Sequence, residues 1–128
     1  MTRYTKGARS ERELLSILHD NGYSVVRSAG SGVNSISPDL VAVKKGRGLA
    51  FECKAWDSTS LSIDPDKYRS LEEWRDNAGM DTYIAWRMNG EGWFFMRLDE
   101  MTRTEKNYTI TMKIAKRINR KLDMIMVQ

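Results

Sequence analysis

Residues 39–56 constrain this chain more than any other stretch. Two apolar, β-rich runs, 39–44 and 49–56, are separated only by Lys45-Gly46-Arg47-Gly48, so they read as the two arms of a hairpin. Strand side chains alternate faces, so Phe51, Cys53 and Ala55 share one face and Glu52 and Lys54 the other. The first set is apolar and should point into a core. Taking 45–48 as a four-residue turn places Lys44 opposite Leu49, Val41 opposite Glu52 and Asp39 opposite Lys54. Asp39, Glu52 and Lys54 then lie on one face, with the two carboxylates on a diagonal of about 7 Å. A slip of one residue would turn Asp39 away, unless a bulge intervened.

Around the hairpin the elements alternate. Ser10-Glu11-Arg12-Glu13 matches a capping box, with Ser10 as N-cap, and Leu14, Leu15, Ile17 and Leu18 follow at helical spacing up to Gly22. This predicts a helix over 11–21. Residues 23–27 read as a strand, 28–37 as a small-residue loop and 57–64 as a polar loop. Asp64-Pro65 opens a second helix, closed by Gly79. Residues 82–88 and 92–98 form a hairpin about Asn89-Gly90, 108–111 a short strand and 112–121 a basic helix. The order of elements predicts an α/β fold with a mixed sheet.

The chain has 128 residues, a length that suits one domain, 1–128, with a core of its own. Its single cysteine rules out an intrachain disulfide and suits a reducing compartment. No apolar run approaches the roughly 20 residues that span a bilayer, and the first residues lack a signal peptide's apolar stretch, so the cytoplasm is expected. A net charge of +4 fits nucleic acid, an anionic membrane or acidic proteins, and does not choose among them.

The face shared by Asp39, Glu52 and Lys54 carries the chemistry. Two hard oxygen anions at that spacing suit Mg²⁺, which takes a few carboxylates and keeps several waters. Such an ion can polarise a phosphate and help generate hydroxide. Lys54 would offset the repulsion between the carboxylates and stabilise charge in the transition state. Glu11 shares a helical stripe with Leu15 and Leu18, which should bring it to the sheet as a third acid. Each feature also has an ordinary explanation: a solvated strand face for Glu52 and Lys54, a turn for Asp39, the helix macrodipole for Glu11. In this order on one hairpin, they point to a metal site.

Lys6-Gly7-Ala8-Arg9-Ser10-Glu11-Arg12-Glu13-Leu14, the 22–32 stretch with Ala29-Gly30-Ser31-Gly32, Pro38-Asp39-Leu40-Val41-Ala42 and Phe51-Glu52-Cys53-Lys54 together resemble the archaeal Holliday-junction resolvases, within the PD-(D/E)xK nucleases. The likeness is close over 6–56 and weaker, though collinear, to about 121. It implies a restriction-endonuclease-like core: a central mixed five-stranded β-sheet flanked by α-helices. It implies a homodimer that nicks four-way junction DNA symmetrically in recombination and repair, using Mg²⁺ with Mn²⁺ as a substitute. A sliding clamp or a helicase is a plausible further partner for such a family. Carried over by position, Glu11, Asp39 and Glu52 are the metal-site acids, the Cys53 backbone carbonyl completes the metal shell and Lys54 is the catalytic lysine.

The same resemblance makes Ser31 a candidate functional serine, against a plain flexible loop. It makes Arg12 and Arg27 candidate DNA contacts, with Lys6, Arg9 and Arg87 beside them, against ordinary solvated charge. Trp74 reads equally as core or as an exposed stacking residue. Trp86 and Trp93-Phe94-Phe95 read as core or interface packing. The basic residues of 113–121 either touch DNA or form a solvated face, and the apolar tail 122–127 is a candidate partner or dimer contact. Two other readings stay open: another endonuclease of the same fold, and a non-catalytic junction-binding module.

Overall fold

The computed structural model describes residues 3–28 and 36–127. α1 (Arg3–Asp20) leads into β1 (Ser24–Arg27), β2 (Leu40–Lys44), β3 (Arg47–Lys54) and β4 (Ser60–Ile63). α2 (Pro65–Ala78) precedes the hairpin of β5 (Asp81–Met88) and β6 (Gly92–Arg97). β7 (Thr102–Arg103), β8 (Tyr108–Thr111) and α3 (Met112–Ile118) complete the order. The main sheet has five strands in the order β1-β2-β3-β5-β6. Among its described strands only β3 and β5 are parallel, joined through α2, so the sheet is mixed as expected. No described helix is long and apolar enough to cross a membrane.

Both faces of the sheet are covered. On one, Leu14 and Leu18 of α1 bury against Leu40, Phe51, Cys53, Tyr83 and Phe95. On the other, Tyr68 and Leu71 of α2 pack with Leu61, Ile84, Trp86 and Met96. Each fully buried leucine contributes about 2 kcal/mol of apolar transfer. Trp86, Trp93, Phe94 and Phe95 are all core.

α2 obeys its local signals closely. The Asp64 side chain accepts the Asp66 N–H at 2.8 Å, Pro65 opens the first turn, and Gly79 closes the helix at φ 66°. Trp74 is half-buried and its indole N–H points to Met80 Sδ at 3.4 Å, so it is a tie within the chain rather than a free stacking surface.

Several expectations change. The first helix starts well before Ser10, which is buried within it. Glu13 does not cap; its Oε1 accepts Arg87 Nε at 2.9 Å and Trp93 Nε1 at 2.8 Å. With the helix running through Ser10, its N–H belongs to the helix ladder, and Glu13 takes two donors from the neighbouring strands instead. The turn of the first hairpin is two residues, Lys45 (φ 51°) and Gly46 (φ 80°), so Lys44 faces Arg47. Positive φ at both central positions gives the turn that matches strand twist, and lysine at the first of them hides it from the sequence. Within 57–64, Ser60–Ile63 is a strand paired with β8; Leu61 and Ile63 are buried by a partner distant in sequence. Finally, the last helix ends at Ile118 because Asn119 turns left-handed at φ 50°. The tail beyond it packs Leu122, Ile125 and Met126 onto the α1 side of the core, and the Val127 N–H donates to the Tyr23 hydroxyl at 2.7 Å.

Candidate active site

The site lies where β2 begins and β3 ends. The ladder pairs Leu40 with Phe51, two residues away from the expected register. A shift of two preserves side-chain parity, so Asp39 still falls on the face of Glu52. It now sits beside Glu52 and Cys53 rather than opposite Lys54. The Asp39 carboxylate takes up the ladder where β2 stops: the Cys53 N–H donates to its Oδ2 at 2.8 Å. A strand residue's N–H and C=O point to the same side, so the Cys53 carbonyl faces this edge too. The Cys53 thiol is turned into the core, where burial, then Asp39, Glu11 and Glu52, push its pKa well up. It is no nucleophile.

Glu52 is only 4% exposed. Its Oε2 lies 3.7 Å from Lys54 Nζ and its Oε1 3.5 Å from Lys67 Nζ. Neither distance is a good hydrogen bond, and Oε1 is a buried oxygen with no hydrogen-bond partner among the described residues. Burial, reinforced by Asp39 and only partly offset by the two lysines, pushes its pKa up to about 7. Lys54 Nζ also stands 5.4 Å from the Trp56 ring centroid, the next residue on its face.

Glu11 approaches from α1, and its Oε1 accepts Arg27 Nε from the end of β1 at 2.9 Å. Burial and Asp39 raise its pKa, with Arg27 and Lys54 opposing. Among the described residues, no three His, Cys, Asp or Glu side chains are grouped so as to hold a metal ion. The structure thus pairs Asp39 and Glu52 about the Cys53 peptide and leaves Glu11 facing Arg27.

An ion nevertheless fits what is present. The donor set is hard oxygen, Asp39 stands close enough to Glu11 and Glu52 to raise the proton affinity of both, and one buried carboxylate oxygen lacks a hydrogen-bond partner among the described residues. In a finished core such an oxygen would be a defect.

The basic candidates divide. Arg9 and Arg12 are exposed on α1. Arg27 is engaged with Glu11, Arg87 with Glu13, and Lys6 Nζ with Asp57 at 2.6 Å. Ser31 lies outside the described residues. Of the basic C-terminal stretch, Lys116 pairs with Glu91 at 2.6 Å and Arg120 with Glu100 at 2.6 Å, while Lys113 and Arg117 are exposed.

Lys67 is the site residue that sequence reasoning missed. Its Nζ lies beside Glu52 and donates to the Ser37 carbonyl at 2.7 Å. One signal could have found it: a lysine in the first turn of a helix opposes the macrodipole and calls for a local anion.

A family model described as archaeal Holliday junction resolvase (Hjc) matches residues 2–126. Crossover junction endodeoxyribonuclease Hjc of Methanocaldococcus jannaschii is 37% identical over 113 residues, which is 88% of this chain and 80% of that protein. The Archaeoglobus fulgidus protein of the same name is 35% identical over 83% of this chain and 79% of its own. The solved structure of Archaeoglobus fulgidus Hjc, a Holliday junction resolvase, superposes with a TM-score of 0.77 at 31% identity, covering 87% of this chain and 88% of that one. A bacterial homing endonuclease, at TM-score 0.53 and 14% identity over 86% of this chain and 75% of that one, shares the fold alone. The fold is the restriction-endonuclease-like one, and with a family model covering nearly every residue, this chain belongs to the archaeal Holliday junction resolvase family.

Proposed function

We propose that this chain is a structure-selective endonuclease that resolves four-way DNA junctions by paired symmetric nicks in recombination and repair. In this reading residues 1–128 form one nuclease domain, acting in the cytoplasm as a homodimer. It depends on Mg²⁺, with Mn²⁺ as a substitute. The observation that carries the reading is Glu52: a buried carboxylate beside Asp39, flanked by two lysines and holding an oxygen with no hydrogen-bond partner among the described residues.

Asp39, Glu52 and the Cys53 carbonyl are the proposed ion ligands, with Glu11 adding negative charge from the α1 side. A bound Mg²⁺ would polarise the scissile phosphate and lower the pKa of a coordinated water. Lys54 presents its ammonium to the developing charge on the phosphoryl oxygens. The core covering both faces of the sheet keeps β2 and β3 in register, so the two carboxylates are already oriented toward the ion they would hold. Arg9 and Arg12, exposed on the helix that carries Glu11, supply flanking phosphate contacts. Two copies related by a two-fold axis match the approximate symmetry of a four-way junction and place one cut in each of two strands.

The test is cleavage of an end-labelled four-way junction by the wild type and by Asp39→Asn. Paired symmetric nicks in Mg²⁺, abolished by EDTA and by the substitution while junction binding persists, are the expected result. Equal cleavage of a linear duplex would remove the junction selectivity and leave a nuclease. Tight junction binding with no scission in any divalent ion would remove the enzyme.

A further inference from the structure

We propose that Lys67 is a positioning residue of this site: by pinning the Ser37 carbonyl and facing Glu52, it holds the segment that delivers Asp39 in register with the end of β3. The inference rests on the metal-site reading above and extends it to a residue of α2.

Lys67 is 22% exposed in its side chain and stands in the first turn of α2, two residues after Pro65. From there its Nζ donates to the Ser37 carbonyl at 2.7 Å and lies 3.5 Å from Glu52 Oε1. One ammonium thus spans three elements: α2, the strand-entry segment before β2, and β3. A lysine whose task was only to solvate α2 would extend outward. This one folds inward against the macrodipole of its own helix.

The Ser37 contact matters because Pro38 and Asp39 come next in the chain. Proline fixes its own φ and restricts the residue before it to extended backbone, so Ser37-Pro38-Asp39 behaves as a short stiff unit. That unit is fastened beyond Pro38 as well, where the Ser28 N–H donates to the Asp39 carbonyl at 2.8 Å and the Cys53 N–H to its carboxylate at 2.8 Å. On the near side Lys67 holds the Ser37 carbonyl, beside the Ser37 hydroxyl's bond to the Ser28 hydroxyl at 3.2 Å. Because β2 begins only at Leu40, these bonds, rather than the ladder, set the direction from which Asp39 enters, and Lys67 is the one among them that ties the segment to α2.

The Glu52 contact completes the role. Lys54 and Lys67 stand against different oxygens of the same carboxylate. Lys54 belongs to the same strand as Glu52 and moves with it. Lys67 is carried by another element and so fixes Glu52 relative to α2. Three acids (Glu11, Asp39, Glu52) are thereby faced by three cations (Arg27, Lys54, Lys67) at the end of the sheet.

Lys67→Met tests this, since it keeps the stem and removes the ammonium. Two readouts are required. In the ion-free protein, hydrogen exchange at the Cys53 amide, whose acceptor is Asp39, should quicken by about tenfold with global unfolding unchanged. In Mg²⁺, kcat on a four-way junction should fall about 10–100-fold, as for partners that orient metal ligands, with KM unaltered. Lys67→Arg, which keeps a charged donor, should recover part of both. If Lys67→Met does not fold, Lys67→Gln is measured in its place with the same expectation. Cys53 exchange at the wild-type rate, or kcat at the wild-type value, overturns the proposal. A loss expressed in KM alone would also overturn it and make Lys67 a DNA contact. The exchange measurement needs no cleavage, so it stands or falls apart from the nuclease reading.

Discussion

Two glutamates in this molecule are each faced by two cations, and they end in opposite states. Glu100 is held by Arg120 through a two-pronged pair, Nη1–Oε1 at 2.6 Å and Nη2–Oε2 at 3.0 Å, and also accepts the Arg97 N–H at 2.6 Å. Burial pushes its pKa up, but those hydrogen bonds outweigh burial and leave the pKa below its ordinary value. Glu52 has lysines at 3.5 and 3.7 Å, no hydrogen bond on Oε1 from the described residues, and a pKa of about 7. Counting charges cannot tell these clusters apart. Geometry does: a planar guanidinium matches a carboxylate edge to edge, whereas point-like ammonium groups at longer range leave it under-satisfied. The first cluster fastens the chain near Arg120 to β6. The second is left with capacity for a ligand.

The contrast breaks most visibly if Glu52 proves to be an ordinary structural acid. Glu52→Gln should lower junction cleavage in Mg²⁺ by about 10²–10³-fold, the scale of losing one group that stabilises transition-state charge. The fold should survive, because the substitution removes an under-satisfied charge and nearly conserves shape. Gel quantification of nicks alongside thermal melting measures both. Near-normal cleavage would leave the orphaned oxygen without a function.

The next largest effect is the pH dependence of stability without divalent ions. The folded pKa of Glu52 is raised from 4.5 to about 7, so the fold favours its protonated form. That contribution is complete below about pH 4.5 and is lost as pH rises through 7, a change of roughly 3 kcal/mol. Divalent ion should restore it increasingly as pH rises, because the ion binds the ionised carboxylate. Glu100 has the opposite sign: its folded pKa is lowered, so its contribution is present above 4.5 and fades as pH falls through the folded value. Denaturant titrations of wild type and Glu52→Gln from pH 5 to 8.5, in EDTA, should differ in slope. Parallel curves would show that Glu52 is ionised in the fold at no cost.

How much of this was legible in the sequence depends on the range of the forces involved. The period-two alternation from Phe51 to Ala55 marks which side chains enter the core, and it survives a two-residue error in register because parity is unchanged. The caps of α2 are also local, with Asp64, Pro65 and Gly79 acting within one turn of the ends they fix. Local signals fail where a distant partner offers more. Ser10 resembles an N-cap, yet the helix runs through it while Glu13 turns to Arg87 and Trp93. β4 carries the same alternation, but with only Leu61 and Ile63 inside the polar stretch 57–64 it reads as loop, and its partner lies far along the chain, where the Ser62 and Thr109 hydroxyls meet at 3.2 Å. In the site, Asp39 and Glu52 are legible because a short hairpin joins them. Lys67 is not, because only the packing of α2 on the sheet brings it to Glu52.

Arg120 offers a way to sharpen the comparison from the satisfied side. Arg120→Met removes both prongs of the Glu100 pair and the bond to the Phe95 carbonyl at 3.2 Å. The expected loss is about 2 kcal/mol, typical for hydrogen bonds to a charged group, read as a lower denaturation midpoint. The rate of junction cleavage should not change. A fall in kcat at unchanged stability would place Glu100 and Arg120 in the catalytic machinery and erase the distinction between the two clusters.

The smallest effect separates good from poor geometry within the Glu100 cluster itself. Arg97 also faces Glu100, but its side chain is 57% exposed and its Nη2 stands 3.6 Å from Oε2. Its strong contribution comes from the backbone N–H, which any side chain retains. Solvent screens the remaining ion pair and the side chain loses rotamer freedom to make it, so Arg97→Ala should cost less than about 1 kcal/mol. Combined with Arg120→Met, the two losses should fall short of additive or exceed it only slightly, since the pairs share one carboxylate. If Arg97→Ala alone destabilised as much as Arg120→Met, charge count would govern this cluster after all. The geometric account of why Glu100 is satisfied and Glu52 is not would then fail at its simplest point.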